Sequence, residues 1–125
     1  MSKRRKELIR TLLKGIETGD EEAVAVVNPH QYIQHNPDIG DGLSSLRAAL
    51  SERTVDGNSV IQYRTNHRLL AEGNFVLSVS EGAQNDIHTS FYDLFRLSKG
   101  KLVEHWDTTE TVPERTEWKN DNGKF

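Results

Sequence analysis

The segment Phe91–Pro113, FYDLFRLSKGKLVEHWDTTETVP, constrains the fold more than any other part of the chain. Apolar residues alternate on either side of Ser98-Lys99-Gly100, which predicts two strands joined by a tight turn. Strand side chains alternate between faces, so Phe91, Asp93, Phe95 and Leu97 share one face of the first strand. Val103, His105, Asp107 and Thr109 share one face of the second. An aspartate between two phenylalanines on an apolar face needs a buried partner.

The turn decides which partner it has. A three-residue loop with Gly100 left-handed sets Asp93 opposite His105, Phe91 opposite Asp107 and Phe95 opposite Val103. A two-residue Lys99-Gly100 loop sets Asp93 opposite Trp106 and splits the ionisable cluster between faces, since a slip of one residue inverts a strand. The first register is favoured, because it gathers the apolar and ionisable residues on one face. Two carboxylates and an imidazole against Phe91 and Phe95 then form a site in which burial and like charge raise a carboxyl pKa and the imidazole opposes them. Such a group suits proton abstraction beside a carbonyl.

Upstream, the periodicity is helical. Leu8, Ile9, Leu12, Leu13 and Ile16 recur at three- and four-residue spacing and predict an amphipathic helix over residues 3–18, with Ser2 as its cap and Gly19 as its end. The basic run Lys3-Arg4-Arg5-Lys6 is then that helix's solvated first turns. Asp20 can cap a short second helix carrying Ala23, Val24, Val26 and Val27, closed by Asn28-Pro29. His30 to Pro37 reads as a short extended piece, and Asp38 to Gly42 as a loop. Leu43, Leu46, Ala49 and Leu50 mark a third helix, with Asp41 as cap and Asp56-Gly57-Asn58 as its breaker.

From Ser59 the period is two. Ile61, Tyr63, Thr65, His67 and Leu69 share a face of a long strand, a second strand carries Phe75, Leu77 and Val79, and Gly82 to Asp86 is a loop. Three helices followed by four long antiparallel strands is an α+β pattern, a meander curled around the helices into a cone with an apolar concave side.

With 125 residues the chain fits one domain, residues 1–125, able to bury roughly two thirds of its unfolded surface. A formal net charge of −3 argues against a nucleic-acid partner held by phosphate neutralisation. The absence of cysteine excludes disulfides, thiolate nucleophiles and zinc–thiolate sites. No apolar run approaches membrane-spanning length and the N-terminus lacks a signal peptide's apolar core, so the expectation is a cytoplasmic protein with no membrane partner. There is no G-x-S-x-G nucleophile elbow and no phosphate-binding glycine loop.

The candidate catalytic residues are therefore Asp107, His105 and Asp93. The candidate lining is Tyr32, His35, Asn36, Tyr63, His67, Phe91 and Phe95, with His35 and Tyr32 at a pocket mouth. His30 and His88 carry no role. A metal set of His35, His67, His105 and a carboxylate is the rival arrangement, and the expectation is that no metal or cofactor is used.

Four segments carry a family resemblance: Tyr32-Ile33-Gln34-His35-Asn36-Pro37, Asp93-Leu94-Phe95-Arg96, Gly100-Lys101-Leu102-Val103-Glu104-His105-Trp106-Asp107 and Asn120-Asp121-Asn122-Gly123. In this order they resemble the SnoaL-like proteins, polyketide-cyclase relatives within the nuclear transport factor 2-like superfamily. The resemblance implies a cone of three helices on a strongly curved antiparallel sheet, and a homodimer through the sheet's outer face. It implies intramolecular aldol chemistry on a small hydrophobic or aromatic carbonyl compound, without metal or cofactor, with Asp107 as acid/base. Asp93 matches a position that is often a pocket histidine in cyclases, and His35 or Asn36 matches the pocket lining. Ser78 and Ser80 stand where relatives often carry histidine. A small-molecule-binding module without chemistry is the alternative on the same fold.

Overall fold

A computed structural model describes residues 2–125. Helix α1 runs Ser2–Thr18 and buries Ile9, Leu12 and Leu13. Ser2 lies inside this helix rather than capping it. Gly19, at φ 76°, ends the helix. Asp20 N–H donates to Gly15 O (2.8 Å) and Gly19 N–H to Ile16 O (3.4 Å), the paired bonds of a left-handed C-terminal cap. Asp20 then caps the next element as expected, accepting from Glu22 N at 3.0 Å, but that element is a 3₁₀ helix, Glu21–Val26. Gly15 is required where the two meet, since a Cβ there would lie 2.0 Å from Ala23 Cβ.

The extended piece becomes strand β1, Ile33–Gln34, and it joins the sheet. It pairs in parallel with the last strand, Ile33 with Glu104 and Gln34 with His105. Helix α2, Leu43–Ser51, follows. Its N-cap is Gly42 (φ 88°) with no side-chain cap bond, not Asp41, whose Oδ1 instead accepts from Gln34 N (2.8 Å). The helix stops at Ser51, before the expected Asp56-Gly57-Asn58 breaker.

Strands β2 (Ile61–Glu72), β3 (Phe75–Gln84), β4 (Ile87–Ser98) and β5 (Lys101–Thr111) form the predicted meander. With β1 they make a five-stranded sheet in the order β1-β5-β4-β3-β2. Gly82, Ala83 and Gln84, expected in a loop, belong to β3, and the turn is Asn85-Asp86, both left-handed. Helix α1 packs against β2 and β3, and the core joins Ile9, Leu12 and Leu13 to Val76, Phe95, Leu97 and Leu102.

Strict alternation fails in two strands, and each failure moves functional residues. In β5 the turn is the two-residue Lys99-Gly100 form, with φ 52° and 76°, as a primed hairpin turn requires. Ser98 pairs with Lys101 and Leu97 with Leu102, but Arg96 pairs with Glu104, leaving Val103 as an extra residue. This bulge returns the strand to the other parity. Asp93 therefore opposes Asp107, Phe95 opposes His105 and Phe91 opposes Thr109, which replaces the register favoured from sequence. The adjacent apolar pair Leu102-Val103, both buried, is what a bulge accommodates and a regular one-sided strand does not.

In β2 the register shifts at Arg64 and again at His67. The concave face thus carries Ile61, Tyr63, Asn66, Leu69 and Ala71, not the unbroken odd-numbered series. Gly82, opposite Tyr63, allows the close approach of β2, since a Cβ there would lie 1.8 Å from Gln62 O.

Lys99 occupies a left-handed position at a cost of about 1 kcal/mol that asparagine largely avoids. Lys99→Asn is expected to stabilise the protein by about 0.5–1 kcal/mol in urea unfolding. An unchanged midpoint would mean that the turn is not under this strain.

Candidate active site

The concave face gathers a hydrogen-bonded network around Asp93, which is 0% exposed. Tyr63 OH donates to Asp93 Oδ2 (2.9 Å), and His105 Nε2 meets Asp93 Oδ1 (2.8 Å). The pair expected from sequence is thus made, but diagonally across β4 and β5 rather than by direct opposition. Phe95 lies tilted against the His105 ring at 5.0 Å, and Phe91 against Tyr63 at 4.7 Å.

Gln34, which was not among the predicted residues, fixes the proton on His105. Gln34 Oε1 accepts the Asn36 backbone N–H (3.0 Å), so the carbonyl end of the amide faces His105 Nδ1 at 2.9 Å. Two acceptors cannot bond one another, so Nδ1 is protonated and donates. Nε2 and Asp93 Oδ1 then share a single proton. Gln34 Nε2 donates to Tyr32 OH (3.2 Å), which leaves the Tyr32 hydroxyl proton free to donate elsewhere. The signal was present in the sequence: in an extended segment Tyr32, Gln34 and Asn36 share a face and His35 does not.

Asp107 lies across the strand from Asp93 and is half-buried. Burial raises its carboxyl pKa, while the Asn36 hydrogen bond and the nearby His105 lower it and Asp93 raises it. Asn36 Nδ2 donates to Asp107 Oδ2 (3.0 Å), and Asn36 Oδ1, accepting from Asp38 N (2.9 Å), orients that amide. Burial, followed by the charge of Asp93, pushes the Tyr32 and Tyr63 hydroxyls well above the ordinary tyrosine value, so both remain proton donors.

His35 and His67 are not part of this site. His35 points to the convex face, stacked on Trp106 (4.6 Å) with Nε2 on Glu104 Oε2 (2.7 Å); Arg96 holds the other Glu104 oxygen. His67 sits at the second β2 bulge and also turns outward. Its Nε2 meets Glu81 Oε1 (2.8 Å), its ring stacks on Phe125 (4.5 Å), and His88 takes the second Glu81 oxygen (2.6 Å). The His35–His67–His105 metal set is therefore ruled out by the placement of its members. The metal-compatible atoms that do converge, within 4.8 Å of one another, belong to Asp93, His105 and Asp107.

A cavity of about 40 Å³ reaches Tyr32, Gln34, Tyr63, Phe95, His105 and Asp107. Asp93 and Phe91 lie behind its wall. Among the described residues, Ser78 Oγ is the buried side-chain polar atom without a partner, and Ser78 is the cross-strand neighbour of Asp93. Ser80 is satisfied by Asn66 Nδ2 at 3.2 Å.

The chain has the nuclear transport factor 2-like fold. A nuclear transport factor 2-like protein of unknown function from Burkholderia xenovorans superposes with a TM-score of 0.74 at 16% identity, covering 97% of each chain. A putative ketosteroid isomerase from Kribbella flavida superposes with a TM-score of 0.76 at 14% identity, over 98% of this chain and 93% of its own. An LEH-like epoxide hydrolase from M. tuberculosis gives a TM-score of 0.64 at 15% identity, over 87% of this chain and 84% of its own. No protein-family profile matches the chain, and no curated protein matches it. No helix among the described residues is long and apolar enough to cross a membrane.

Proposed function

We propose that this protein is a cofactor-independent acid–base enzyme of the SnoaL-like kind, acting on a small hydrophobic or aromatic carbonyl compound by aldol cyclisation, isomerisation or related chemistry. The observation that supports it best is the contrast between two facing aspartates. Asp93 is fully enclosed and spends both oxygens on Tyr63 and His105, whereas Asp107 is half-buried, has one oxygen uncommitted and lines the cavity.

In this reading Asp107 removes a proton α to the carbonyl. Its partial burial makes it a stronger base than a solvated carboxylate. The free Tyr32 hydroxyl proton stabilises the enolate oxygen. Asp93, His105 and Gln34 position the wall behind them. The test is exchange of α-protons for deuterium in a panel of aromatic and alicyclic ketones, followed by NMR. Absence of protein-dependent exchange across the panel, at protein concentrations that outrun solvent catalysis, would count against it.

A binding module is the second reading, favoured by how few polar groups remain unsatisfied in the pocket. Native mass spectrometry that recovers a ligand chemically unchanged after long incubation would support it over turnover. The exposed convex-face residues Leu70, Phe75 and Tyr92 support a homodimer through that face. Tyr92→Glu is then expected to shift the sedimenting species from dimer to monomer; a wild-type monomer would remove this assembly.

A further inference from the structure

The cavity at Asp107 is too small for the substrate class proposed. About 40 Å³ admits a few waters at most, whereas small-molecule sites occupy roughly 300–1,000 Å³. A second space of about 430 Å³ lies between the end of α1, the 3₁₀ helix, α2 and the start of β2. Ile16, Leu50 and Ile61 line both spaces, so these three apolar side chains form the partition between them.

One wall of the partition is weakly held. Ile39, Leu46 and Leu50 cover the inner cavity, all from the segment that leads into and forms α2. Within α2 only Leu46 is buried, and the helix has no side-chain cap bond. Gly42 at one end and Gly57 at φ 84° in the following loop provide backbone freedom on both sides. Few buried contacts and an uncapped end are the marks of an element that opens locally below the global unfolding energy.

We propose that residues 43–51 form a lid, and that its outward movement about Gly42 and Gly57 joins the α1–α2 groove to the Asp107 cavity to admit an elongated apolar ketone or aldehyde. The body of the molecule lies against Ile16, Leu50 and Ile61 in the groove, and its carbonyl end reaches Asp107 and Tyr32. The proposal rests on the reading of the Asp107 pocket as the reaction site, but its test requires no turnover.

The absence of cysteine makes the test direct. Ser51 is exposed at the groove, so Ser51→Cys can be labelled after folding with N-phenylmaleimide. The probe is prodan, a fluorescent naphthyl ketone whose emission moves to the blue on leaving water. Wild type and unlabelled Ser51→Cys are expected to bind it saturably, and labelled Ser51→Cys at least about tenfold more weakly. Hydrogen exchange is expected to be faster in α2 than in the Ile9–Ile16 part of α1, and to slow in α2 when prodan binds. Unaltered binding after labelling, no saturable binding by wild type, or α2 amides as protected as those of α1 would each overturn the proposal. Prodan binding that obeys these expectations, combined with no proton exchange in any ketone, would leave the lid in place and remove the acid–base reading.

Discussion

Asp107→Asn eliminates protein-dependent α-proton exchange, by about 10²–10⁴-fold as expected for loss of a positioned general base, while the protein stays folded. Asparagine matches aspartate in shape, and its carbonyl oxygen can still accept the Asn36 Nδ2 bond. The burial that raises the Asp107 pKa also fixes the sign of the stability effect. The folded carboxyl holds its proton more tightly than the unfolded one, so stability is highest below the unfolded pKa and is lost as pH rises through the folded value. Removing the charge relieves this, so above that window Asp107→Asn melts no lower than wild type. In wild type the exchange rate climbs with pH through the raised pKa, and that limb is missing from the variant. NMR exchange and thermal melts across pH measure both. A variant within tenfold of wild-type activity would take Asp107 out of the mechanism.

Asp93→Ala has the opposite character. It strands the Tyr63 hydroxyl and His105 Nε2 around a position that is 0% exposed. Leaving both hydrogen-bond partners of a buried carboxyl unsatisfied costs about 3–5 kcal/mol. For a chain of this length that lowers Tm by roughly 10–20 °C. Asp93→Asn separates charge from connectivity. Its Oδ1 can accept from Tyr63 while its Nδ2 donates to His105 Nε2, because Gln34 keeps the imidazole proton on Nδ1. The asparagine variant is expected within about 1 kcal/mol of wild type, with nitrogen-15 shifts of His105 reporting the neutral Nδ1–H tautomer. Calorimetry showing Asp93→Ala as stable as wild type would mean that the network is not what secures this wall.

These two variants separate roles that the sequence presents as alike. Asp93 and Asp107 are both aspartates in apolar strands, and alternation assigns both to one face. Only their surroundings distinguish a structural carboxylate with both oxygens committed from one that opens on a cavity. The convex-face histidines show the same dependence. Counting in twos from Tyr63 points His67 inward, but the bulges at Arg64 and His67 turn it to Glu81 and Phe125. His35, expected at the pocket mouth, lies on the opposite face of the extended segment from Tyr32, Gln34 and Asn36.

The sequence by itself determined the order of elements, the helical stripe of α1, the Asp20 cap, the meander and the common face of Asp93 and Phe95 within their own strand. Each follows from local periodicity or from one residue's own chemistry. Only the tertiary structure decided the register at Asp93, the parallel docking of β1 that brings Gln34 to His105, and the outward turn of His67 at the β2 bulges. A bulge costs little locally and is selected by whether distant side chains become buried. Leu102 and Val103 are both apolar, and which one becomes the extra residue is settled by what packs against them, α1 and Phe95 included. The pairing of two residues 71 positions apart, such as Gln34 and His105, leaves no periodic trace in either segment.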